Sequence, residues 1–151
     1  MGFGKFSRLS RFLVVVFFTC LTFFVPVGNS YAIGSLPPCP VSPNCVVSQN
    51  ADADHTIDPI VYHVDRNTAK QTLLKVLSVV PRTEVIQQTD DYIHAISKSR
   101  IFQFVDDVEF YLPMDEAVIH IRSASRLGEY DLGVNRRRLE QIRLALQDLK
   151  I

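Results

Sequence analysis

The chain has 151 residues, of which 16 are basic, 16 acidic and 47% hydrophobic, a length and composition that suit one small domain with one core. Three of the basic residues and none of the acidic ones fall in the first 32, which leaves the other 119 residues at a net charge of −3. A mildly acidic domain without a basic tail lacks the dominant positive face that nucleic acid requires, so that class of partner is excluded.

Residues 1–32 read as an export signal. Lys5, Arg8 and Arg11 precede an apolar run from Phe12 to Val27, broken only by Thr19 and Thr22. That run is 16 residues, shorter than the ~20 that span a bilayer. Gly28 to Ala32 then supply a helix-breaking region ending in Ser30-Tyr31-Ala32, a small-x-small cleavage site. Cleavage after Ala32 is the main reading, and an uncleaved anchor is the alternative. Phe17-Phe18-Thr19 is too bulky to make Cys20 a lipoprotein site. The expected destination is an exported compartment, periplasm or thylakoid lumen, with membrane association allowed and no transmembrane span in the mature chain.

Residues 33–64 are rich in proline and aspartate and read as an irregular strap. Cys39 and Cys45 lie close together in it, and in an exported protein an even pair reads as a disulfide. A metal site with His55 and His63 stands against that, although the cysteine spacing is wider than usual. Redox-active thiols are a third reading, but there is no Cys-x-x-Cys.

Residues 65–151 read as one α+β domain. Asp65 is a good N-cap, and Ala69, Leu73, Val76, Leu77 and Val80 fall on one helical face until Pro81. Four β-like runs follow, at 84–88, 92–98, 102–112 and 118–125, joined by turns short enough to force antiparallel neighbours. A second helix over 135–149 places Leu139, Ile142, Leu146 and Leu149 at helical spacing. The expected fold is a four-stranded meander with two amphipathic helices on one face, in the order α-β-β-β-β-α.

Strand alternation sorts the polar residues. In the third run Phe102, Phe104, Val108, Phe110 and Leu112 share a side with Asp106, and Val105, Asp107, Glu109 and Tyr111 share the other. His94, Asp107, Glu109, His120 and Arg122 form one patch if the polar sides coincide. A general acid–base pair of His94 with Glu109 or Asp107 can be drawn from it, while plain cross-strand charge pairing explains the same residues without chemistry. Asp106 and Asp107 point to opposite sides, so they do not chelate one cation together.

The segment 121–138 holds five arginines, and three of them, Arg136, Arg137 and Arg138, fall in the first turn of the second helix. The helix dipole disfavours cations there by roughly 0.3–1 kcal/mol each. Buried carboxylates or an anionic ligand must offset that cost. Structural pairing with Asp106, Glu109 and Asp131 is one reading. An anion or lipid-headgroup site is another, with Asn135 capping the helix and Arg122, Arg126, Arg137 and Arg138 converging on its free N–H groups. Ser123, Ser125, Asp131 and the His94 patch would support such a site. A protein-partner surface is the third. The phosphate-binding, nucleophile-elbow and zinc-protease motifs are absent. No catalytic residue, metal or cofactor is expected.

Several of these stretches together resemble a known family: Leu36 to Cys45, Tyr92 to Ala95, Phe104 to Phe110, Arg122 to Arg126 and Asp131 to Arg138. They look like the domain-of-unknown-function family 1499 across essentially the whole mature chain. The resemblance implies an exported protein of bacterial, cyanobacterial or plastid type, similar in layout to a periplasmic or thylakoid-lumen protein. It implies no activity and supplies no catalytic residues. The expected function is a non-enzymatic exported module that binds an anionic small molecule, a lipid headgroup or a partner protein through Arg122–Arg138. A hydrolase-like enzyme using the His/Glu pair, and an assembly factor for a membrane complex, are the alternatives.

Overall fold

Backbone pairing starts earlier than the polar composition of residues 33–64 suggests. The computed structural model describes Met1 and residues 34–151, and it builds two short strands from that segment, β1 (Cys45–Val47) and β2 (Ile60–Val61). After them come α1 (Arg66–Val79), β3 (Thr83–Gln88), β4 (Tyr92–Lys98), β5 (Val105–Tyr111), β6 (Val118–Ser125) and α2 (Val134–Asp148). The protein is therefore α+β, with an antiparallel sheet in the order β1-β6-β5-β4-β3 and β2 also paired to β6. The expected sheet of four strands is corrected to six. The physical reason is the open edge of β6, whose free N–H and C=O groups need partners. Val46 and Ile60 bury there against the core, so the strap supplies those partners.

The helices begin differently. Asp65 caps α1 as its sequence predicts, accepting from the Thr68 N–H at 2.9 Å and from Thr68 Oγ1 at 2.6 Å. Gly133, in the left-handed conformation at φ 73°, caps α2 without a side-chain bond. Asn135 is not the cap, which corrects the expectation for that residue. Asp131 does the work instead: its carboxylate accepts from the N–H groups of Gly133 at 2.9 Å and Asn135 at 2.7 Å.

Leu73 and Leu77 from α1, Leu139, Ile142 and Leu146 from α2, and alternate strand residues Ile93, Ala95, Val108, Phe110, Ile119 and Ile121 form one buried cluster. Two apolar expectations fail. Leu149 is exposed, because α2 has ended before it. Phe102 and Phe104 are exposed, because β5 starts only at Val105. Residues 99–104 form a loop closed by the Ser99 N–H to Phe104 C=O bond at 2.9 Å, with Gln103 at φ 54°.

The leader, its cleavage after Ala32 and Cys20 lie outside the described residues. Among those described, no helix is long and apolar enough to cross a membrane.

Candidate functional site

Opposite the core cluster, strand alternation brings the predicted polar residues onto one side of the sheet. Register sets His94 across from Glu109, Glu109 across from Arg122, and Tyr111 across from His120. Two clusters result. In the first, the Tyr92 hydroxyl donates to Glu109 Oε1 at 2.6 Å and Arg122 Nη1 donates to Glu109 Oε2. Burial first, and then the Glu109 carboxylate, push the Tyr92 phenol far above its ordinary range, so it stays a neutral donor. In the second, Asp107 Oδ1 bonds His94 Nε2 at 2.7 Å, and the Arg126 guanidinium grips both oxygens of Asp107 at 2.8 and 3.0 Å. Burial alone would raise the Asp107 carboxyl. The bonds from His94 and Arg126, with the arginine's charge, outweigh it and hold the carboxyl well below the usual range.

His94 thus has Asp107 as its partner and not the Glu109 directly across the ladder. His120 stacks on Tyr111 and shares a 3.3 Å contact with Ser48. Burial lowers its affinity for a proton against the opposing charge of Glu116.

The core side of the sheet carries its own polar seam. Arg138 Nη2 donates to Asp106 at 2.6 Å, and its Nη1 donates to Ser123 Oγ at 3.1 Å and Asn135 Oδ1 at 2.8 Å. Asn135 is buried and fully used. Its Oδ1 also accepts from Ser123 Oγ at 2.5 Å, and its Nδ2 donates to the Asn44 C=O at 2.9 Å and Ser125 Oγ at 3.0 Å. Helix α2 is locked to the end of β6 and to the strap by this one residue and its neighbour a turn later.

The arginine segment therefore separates into two groups. Arg122, Arg126 and Arg138 each hold a carboxylate. Arg136 and Arg137 face outward at the start of α2, and Arg137 donates to the Leu132 C=O at 2.7 Å. Sequence reasoning missed Tyr92 as the second partner of Glu109. It also missed Asn44, which is buried and donates to the Gly128 C=O at 2.5 Å. No local pattern marks either one, since both contacts join residues far apart in the chain.

Cys39 and Cys45 are joined as a disulfide, with Cα atoms 5.6 Å apart. His55 is occupied elsewhere: it is pinned by Asp52 at 2.7 Å and the Ser42 C=O at 3.1 Å. The Asp52 bond raises its proton affinity against the effect of burial. His63 lines an open depression of about 420 Å³ where Arg143 donates to the Pro59 C=O at 2.7 Å. Among the described residues, no group of three or more His, Cys, Asp or Glu is arranged to hold a metal ion.

A family model described as "Protein of unknown function (DUF1499)" matches residues 35–146. No curated protein matches the chain.

Proposed function

The chain belongs to the DUF1499 family, and we propose that it is a non-enzymatic exported module that recognises an anionic partner through the segment from Arg126 to Arg137. One observation carries this reading: the segment's cations are sorted. Arg122 and Arg138 are committed to nearly buried carboxylates, while Arg136 and Arg137 are displayed at a helix N-terminus, where cations oppose the dipole. In this reading the two helices cover the core side of the sheet, and Asp106, Asp107 and Glu109 position the segment and do not touch the ligand. Asn135, Ser123, Ser125 and Asp131 shape its backbone. The 1–32 leader delivers the protein to a periplasm-like or lumen-like compartment.

The same sorting disfavours the hydrolase-like alternative. Glu109 is taken by Tyr92 and Arg122 and does not reach His94, and Asp107, which does reach it, is also held by Arg126.

The test is native mass spectrometry and soluble-anion binding on the protein purified gently from its own source. Retained anionic mass, or saturable binding of inositol hexakisphosphate, that is lost in Arg136→Glu/Arg137→Glu with no fall in melting temperature supports the module. Retention unaffected by that variant sinks it.

A further inference from the structure

Three loops meet at the end of the sheet where β5 begins and β6 finishes. The β4–β5 loop (99–104) adjoins residues 126–133, because the Arg126 N–H bonds the Val105 C=O at 3.0 Å. The strap turn before β1 joins them: the Ser125 N–H bonds the Asn44 C=O at 3.0 Å, and the Asn44 side chain bonds the Gly128 C=O. From these loops Val41, Ile101, Phe102, Leu127, Tyr130 and Leu132 project, each between 69% and 98% exposed. Leu132 does so from a left-handed backbone, φ 53°, which leucine adopts only against a steric cost. Arg100, Arg136 and Arg137 lie among them, with Arg126 held by Asp107, against the acids Glu129 and Asp131, and Asp131 is engaged in starting α2.

We infer that this end of the molecule docks on an anionic lipid bilayer, the apolar tips entering the interface and the arginines meeting lipid phosphates; the inference rests on the binding-module reading above and names its partner. Contiguous exposed apolar side chains mark an interaction site. A protein interface packs at interior density against a complementary shape. Side chains that are mostly exposed on three separate loops, with Phe102 stacked on Phe104, present no such shape. A bilayer interface accepts them singly, since it is fluid and deforms around each. Aromatic and aliphatic tips with a cationic surround are the chemistry that interfacial insertion into anionic membranes selects. The three loops are balanced in charge, and Arg136 and Arg137 from the start of α2 give this end a positive excess on a domain that is negative as a whole, which supplies the charge complementarity.

The chain contains no tryptophan, so single Phe102→Trp, Leu132→Trp and Met114→Trp variants of the full chain each report one position. Met114 lies exposed beyond the opposite end of β5 and serves as the control. With phosphatidylglycerol vesicles, the Phe102→Trp and Leu132→Trp emission shifts to the blue and is quenched by brominated acyl chains, and the Met114→Trp emission is not. This local readout separates tip insertion from any membrane binding by residues 12–27. Adding Arg136→Glu/Arg137→Glu weakens the tip response by roughly tenfold or more. Silent tip probes, or equal responses at the tip and at Met114→Trp, overturn the inference. So does a tip response unchanged by the arginine reversal, or a protein cross-linked at Tyr130 that replaces the vesicles. If the tip probes are silent while Arg136 and Arg137 still govern binding of the soluble anion, the lipid partner falls and the binding module stands.

Discussion

Arg138 reaches Asp106 on the core side of β5, whereas Arg122 and Arg126 reach Glu109 and Asp107 on its other side. On the core side one guanidinium serves a carboxylate, a serine and an asparagine, in a pair with 11% and 7% of its side chains exposed. On the other side the pairs grade outward, from Arg122 and Glu109, as little exposed at 12% and 7%, to Arg126 and Asp107 at 48% and 23%. The same residue types thus do two jobs. Where water is excluded, an ion pair orders a helix against a sheet, and losing one partner strands the other. Where water is near, screening reduces what each pair contributes.

That contrast breaks most sharply at Arg138. Arg138→Ala leaves Asp106 charged and buried, with Asn135 and Ser123 short of a donor. We expect a loss of roughly 3–5 kcal/mol in urea unfolding. On the other side, Glu109→Ala leaves Arg122 and Tyr92 without their shared acceptor. A loss of the same order follows, roughly 3–5 kcal/mol, because that pair is as buried as Arg138 with Asp106, and a loss as large at Arg126→Ala would erase the distinction. Removing the disulfide with Cys39→Ser/Cys45→Ser costs about 2 kcal/mol, because the closed loop is short.

Titration sharpens the comparison further. The Asp107 carboxyl is depressed in the folded state. Its stabilisation is therefore present above its unfolded value near 3.9 and is lost as the pH falls below that. Asp107→Asn flattens this acid limb, and added salt shrinks it, since Arg126 is half exposed. His55 has the opposite sign. Its proton affinity is raised in the folded state, so its contribution is full below about pH 6.5 and is lost as the pH rises through the folded value. His55→Gln removes that alkaline-side loss. The smallest expected effect is at the exposed cations: Arg136→Ala/Arg137→Ala changes stability by no more than a few tenths of a kcal/mol, because relief of the α2 dipole is offset by loss of the Arg137 bond to the Leu132 C=O. A loss above about 1 kcal/mol in differential scanning calorimetry would show that they are structural after all.

Local chemistry by itself determined much of this protein. Asp65 as a cap, Pro81 as a stop, the alternation of Ile93, Val108 and Ile121 against His94, Glu109 and Arg122, and the bond between Cys39 and Cys45 are all legible within a few residues of sequence. So was the cost of cations at a helix start, although with Gly133 as the cap only Arg136 and Arg137 fall in the first turn and Arg138 lies beyond it. Tertiary structure alone decided the rest. Whether Val46 and Ile60 pair as strands depends on the open edge of β6, which lies about 60 to 80 residues away. Whether Asn135 caps a helix or joins Asn44 to Ser125 depends on what packs above it. Which arginines are spent and which remain depends on where each guanidinium meets a carboxylate. Helix periods and strand alternation are short-range and repeat along the chain. Hydrogen bonds between distant segments leave no period behind, so they become visible only once the chain has folded.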